Sequence, residues 1–103
     1  MTCFKVYPTS VQTAQMATEV FFTVDGHAQR PGGGWRYSVM VSPNGRLIRI
    51  RRGATVLHDR SQRNGPRLTS LKVRQWRDAA CAVVAAKALG IKTNTLPPHE
   101  VEL

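Results

Sequence analysis

The clearest regularity in the chain is an alternation of apolar and polar positions. Trp35, Tyr37, Val39 and Val41 alternate with Arg36, Ser38 and Met40. Seven residues of period two predict a half-buried β-strand. Ser42-Pro43-Asn44-Gly45 follows and reads as a turn. Proline presets φ at the first central position, asparagine suits the second, and glycine accepts φ > 0. Residues 46–52 (Arg-Leu-Ile-Arg-Ile-Arg-Arg) then return as a second strand. With Val41 opposite Arg46, Val39 faces Ile48 and Tyr37 faces Ile50 on an apolar side. Arg36 then lies opposite Arg51, Ser38 opposite Arg49 and Met40 opposite Leu47 on the other side. A three-residue loop with a glycine bulge instead sets Val39 against Arg49 and Tyr37 against Arg51, which mixes arginine into the apolar face. The first register is therefore expected, giving a sheet with one oily face and one arginine-bearing face.

Weaker patterns surround this hairpin. Residues 3–7 read as a short strand that Pro8 ends or marks as an edge. Residues 11–19 fit two or three helical turns, although their stripe is poor. Residues 19–25 are rich in β-formers and bounded by Gly26, and 26–34, with Pro31 and three consecutive glycines, read as a hairpin loop. Residues 54–58 suggest a further strand, and 59–68 a polar loop with three arginines. A helix is expected from Thr69 or Ser70, either of which suits an N-cap, to about Leu89, with Gly90 as its stop. Trp76, Ala79, Ala80, Val83 and Ala86 form its apolar stripe, and Lys72, Arg74, Arg77 and Lys87 lie off it. The expected fold is α+β: a small antiparallel β-meander of three to four strands, with one Ala-rich C-terminal helix packed on one face. Residues 1–92 form a single basic domain, and 93–103, with Pro97 and Pro98, an extended acidic tail.

Charge changes what the pattern implies. The chain has 103 residues, with 15 Lys and Arg against 6 Asp and Glu, for a net charge of +9. That length suits one small domain. Residues 30–92 hold eleven arginines and three lysines against Asp59 and Asp78, so the excess is concentrated there. Arginine's planar fork suits phosphate and base edges better than a lysine point charge does. No apolar run approaches the length of a membrane span, and the N-terminus lacks the pattern of a secretory signal. Cys3 and Cys81 lie far apart with no metal-ligand spacing, so neither a disulfide nor a zinc site is expected. The expected setting is cytoplasmic, with no membrane association and no cofactor.

Catalysis is the first chemistry to weigh. Asp25 and His27 share strand parity but sit beside a glycine, whereas His58 and Asp59 are adjacent and point to opposite faces of a strand. Neither set makes a recognisable acid–base constellation. Gly32-Gly33-Gly34 leads into a strand and lacks the Lys-Ser/Thr of a phosphate loop. No enzymatic activity is expected. The arginines are the stronger signal. Arg36, Arg49 and Arg51 should share one exposed sheet face, flanked by Arg46 and Arg52, with Arg60 and Arg63 in the nearby loop. Like charges on neighbouring strands repel unless an anion compensates them, which points to a polyanionic partner. The plainer reading is a sheet that uses charge to prevent aggregation. Trp35 and Trp76 could stack on bases, but parity and stripe favour the core for both. Joint replacement of Arg49 and Arg51 should then remove binding and leave the fold intact.

Trp35-Arg36-x-x-Val39-x-Val41, the turn, Gly45-Arg46 and the Arg-rich strand resemble the three-stranded sheet of plant ethylene-response-type DNA-binding domains. The same module is the arm-binding domain of phage integrases. Residues 78–90 are similar to the Ala-rich helix behind that sheet, so the resemblance covers about residues 34–90. It implies a sheet that enters a DNA major groove and reads it with arginines. The alternative partner is an acidic surface of a nucleic-acid-processing protein complex. A small phage- or mobile-element-encoded inhibitor, of the anti-CRISPR kind, would bind it through the same basic face.

Overall fold

The computed structural model describes residues 3–16, 19–30 and 33–102. In chain order the strands are β1 (Cys3–Met16), β2 (Glu19–Arg30), β3 (Gly33–Val41), β4 (Leu47–Arg52) and β5 (Thr55–Asp59). Helix α1 (Ser70–Ala88), a single 3-10 turn (Thr93–Thr95) and strand β6 (His99–Glu102) follow. The strands form one curled antiparallel sheet in the order β5–β4–β3–β2–β1–β6. The α+β class holds, but the expected three to four strands are six. No helix among the described residues is long and apolar enough to cross a membrane.

The first correction is at residues 11–19, where a helix was expected. Residues 11–16 belong to β1, paired from Val11↔Val24 through Met16↔Glu19. Residues 17 and 18 lie outside the described residues. Val11 is buried in the core, and the segment pairs residue by residue with β2. Pairing along β2 outweighs a weak helical preference, as tertiary context commonly does. Strand β2 also runs through Gly26, which was expected to end it; of the expected 26–34 loop, Pro31 and Gly32 lie outside the described residues. Pro8 marks an edge rather than an end. It sits just beyond Val6↔His99, where β6 stops, and beside a bulge between Pro8 and Ser10. The missing proline N–H costs little there.

The second correction is the β3–β4 register. The observed pairs are Val41↔Leu47, Met40↔Arg49, Val39↔Ile50, Ser38↔Arg51 and Tyr37↔Arg52, with a bulge at Ile48. Ser42 holds the turn: its N–H donates to Arg46 O at 2.8 Å, and its Oγ accepts from Arg46 N–H at 2.9 Å. Gly45 completes it at φ 87°. The bulge has a packing cause. Leu47 and Ile50 are both buried, and a spacing of three cannot face one side of a regular strand. Leu47, expected outside, is in the core, and Ile48, expected inside, is only half-buried. Arg49 and Arg51 nonetheless stay on the outer face, because the bulge precedes them.

The third correction is the tail. Expected to be extended, it instead opens with the 3-10 turn Thr93–Thr95, and His99–Glu102 pairs with Cys3–Val6 as the sixth strand. Val101 is fully buried, so this segment completes the core.

Helix α1 follows the sequence closely. Thr69 is its N-cap, with Oγ1 accepting from Lys72 N–H. At the other end Gly90 adopts φ 82°, and the N–H groups of Gly90 and Ile91 donate to Lys87 O and Ala86 O, a Schellman closure. Trp76, Ala80, Val83 and Ala86 are buried against the sheet. The alanines let the helix lie close, and Trp76 meets the Tyr37 ring at 5.0 Å between centroids. Since α1 leads from β5 at one edge to β6 at the other, it crosses one sheet face and leaves the opposite face uncovered.

Candidate functional site

Cross-strand register arranges the uncovered face in rows. Tyr7, His27 and Arg36 stand side by side on β1, β2 and β3. Ser10, Asp25, Ser38 and Arg51 form the next row, across β1 to β4. Gln12, Thr23, Met40, Arg49 and Asp59 form a third, reaching β5. The first two rows border an open groove of about 940 Å³, whose walls include Asp25, His27, Arg36, Ser38 and Arg51. Trp35 and Gly53 line it as well.

The floor of the groove has specific chemistry. Ser10 Oγ donates to Asp25 Oδ2 at 3.2 Å. Among the described residues no cation pairs with Asp25. The Tyr7 and His27 rings stack with centroids 5.3 Å apart and planes 20° from parallel. Gly26 is required beside them, because the buried Tyr37 ring lies where a Cβ at Gly26 would sit. Burial pushes the Tyr37 hydroxyl's pKa up, and the nearby Asp25 carboxylate pushes it further, so the phenol stays protonated. Among the described residues no group of three or more His, Cys, Asp or Glu side chains could hold a metal ion.

The seven arginines singled out in the sequence do not form one patch. Arg36 and Arg51 are exposed on the groove, and among the described residues neither has a carboxylate at ion-pair distance. Arg49 shares their face but is committed. Its Nε donates to Asp59 Oδ2 at 3.3 Å and its Nη2 to Ser61 Oγ at 3.2 Å. Asp59 is buried, which pushes its pKa up; hydrogen bonds from Ser61 and the charge of Arg49 together outweigh this and hold it below the ordinary carboxylate value. Arg52 shares the inward parity of Ile50, and its guanidinium lies 4.4 Å over the Trp35 ring. Trp35, expected in the core, is half-buried and lines the groove. Arg46 and Arg60 line a separate concavity with Arg77, between the β3–β4 turn and α1. Arg63 is exposed in the 60–68 loop and lines neither.

Sequence reasoning missed His27 and Asp25 as groove residues, and Tyr7 as the ring stacked on His27. Their parity was legible, but their company depends on β1 pairing with β2, and part of β1 reads as helix. Arg67, one of the three loop arginines, is structural: its guanidinium donates to the carbonyls of Asp59 and Gln62 and closes the 60–68 loop. Comparison with protein-family models, curated proteins and solved structures returned no match.

Proposed function

We propose that the chain is a non-catalytic nucleic-acid-binding domain and that the uncovered sheet face is its binding surface. One observation carries this reading: Arg36 and Arg51 stand exposed on one groove with no carboxylate paired to either among the described residues. Two guanidinium groups on neighbouring strands repel unless an anion lies between them. Their planar donors match phosphate oxygens better than an ammonium would. The aromatic pair beside them suits a ligand with π faces as well as negative charge. Arg46, Arg60 and Arg63 add long-range attraction from the flanks. A binding role without catalysis is also favoured because Asp25 accepts its hydrogen bond from Ser10 and none from His27.

The test is a salt titration of binding to a labelled oligonucleotide, read by fluorescence anisotropy. Affinity should fall linearly on a log–log plot against salt. Replacing Arg36 and Arg51 with alanine should flatten that slope by roughly one unit per phosphate-contacting arginine. Affinity indifferent to salt, or a slope unchanged in the double variant, would refute the reading. A complex from host lysate that survives nuclease would point instead to an acidic protein face as the partner.

A further inference from the structure

The geometry points to a single-stranded nucleic acid as the ligand, with one unstacked base, a guanine, seated on Asp25. This rests on the nucleic-acid reading above and concerns what the groove floor recognises. A half-buried carboxylate lining an arginine-bearing groove is out of place if only phosphates lie there. A phosphate over Asp25 would be repelled, and Asp25 has no cation to neutralise it among the described residues. A base edge rich in donors has the opposite preference. Guanine offers two N–H donors on its pairing edge, and a carboxylate accepts both as charge-assisted hydrogen bonds. Ser10 already orients that carboxylate by donating to Oδ2.

The surroundings fit the rest of a nucleotide chain. Arg51 lies two strand spacings from Asp25 along the same row, about 10 Å. Its long side chain can reach back toward a phosphate while the base stays on Asp25. Arg36 stands one row away, beside the stacked Tyr7–His27 pair, which offers a platform for the neighbouring base. A duplex cannot use this floor, because its guanine donors are engaged in pairing. DNA and RNA strands share the required chemistry.

The experiment compares a dT oligomer with the same oligomer carrying one central guanine, as deoxy and ribo versions, and with a duplex of the guanine strand. Wild type should bind the guanine strand about ten-fold more tightly than the all-thymine strand. It should bind the duplex more weakly than either. Asp25→Asn should erase the guanine preference and, by removing a negative charge, tighten binding of the all-thymine strand. The opposite signs separate recognition from plain repulsion. Circular dichroism and thermal unfolding would confirm that the variant is folded. Equal affinity for the two single strands, uniform tightening of both by Asp25→Asn, or a duplex bound as well as the guanine strand each overturns the inference. All three leave the nucleic-acid reading standing. That reading fails separately if no strand binds at low salt.

Discussion

His58 shows how one residue's environment sets a property of the whole protein. It is buried on β5, and its Nδ1 accepts from Leu68 N–H at 3.1 Å, which requires the neutral ring. Burial pushes its pKa down, the charges of Arg67 and Arg60 push it further, and Asp59 opposes them weakly. The unfolded chain has no such bias and takes up a proton near the ordinary value of 6.5. Above that pH both states are neutral and stability is complete. As pH falls from about 7 toward 5 the unfolded state binds more protons, so stability declines. The melting temperature should drop across this window, and His58→Asn, whose amide oxygen can still accept from Leu68, should flatten the decline. Asp59 titrates in the lower, carboxylate window and stays ionised at pH 5. Nothing in the His58-Asp59-Arg60 string distinguishes this buried ring from a surface one, because Leu68 reaches it only through the folded 60–68 loop.

At the level of elements, β4 and β5 divide the arginines by role. Arg49 and Arg51 sit two residues apart on the same face, yet among the described residues only Arg49 meets an acid, since β5 places Asp59 opposite it. Removing Arg49 leaves a buried carboxylate without its cation, so Arg49→Ala should cost about 1–3 kcal/mol in urea denaturation. Arg51→Ala, at an exposed position, should change stability by no more than about 0.5 kcal/mol. The expectation that Arg49 and Arg51 together would report binding with the fold intact therefore needs revision: Arg36 and Arg51 are the cleaner pair. Strand β3, the turn and α1 were legible because each has strong local chemistry. Strand β6 was not, since His99–Glu102 is short, follows two prolines and gains its place only by covering Val6 and the edge of β1.

Across the whole molecule the positive charge occupies two sides. Helix α1 carries Lys72, Arg74, Arg77 and Lys87 on the side away from the groove, and some of it is already engaged: Lys72 lies 3.8 Å from Glu102, and Arg77 pairs with Asp78. The helix and the sheet's thickness separate Arg74 from the groove by more than the screening length of about 8 Å at physiological salt. Charge reversal at Arg74 should therefore shift oligonucleotide affinity far less than reversal at Arg51, measured at about 0.15 M salt. Equal effects would mean that binding follows net charge and not a located surface.

Alternation and turn residues were enough to establish the β3–β4 hairpin, the capped helix and the side of the sheet that bears Arg36, Arg49 and Arg51. Those signals act between neighbours in the chain, so they can be read without the fold. Tertiary structure alone decided the sheet's six-strand extent, the bulge that moves Leu47 inward, and the difference between Arg49, paired with Asp59, and Arg51, which has no carboxylate at ion-pair distance among the described residues. It also brought Ser10 and Asp25 into the groove that Arg36 and Arg51 line. The physical reason is the same in each case: these features depend on which strand lies alongside which, and pairing partners far apart in the chain are chosen by burial of the common core.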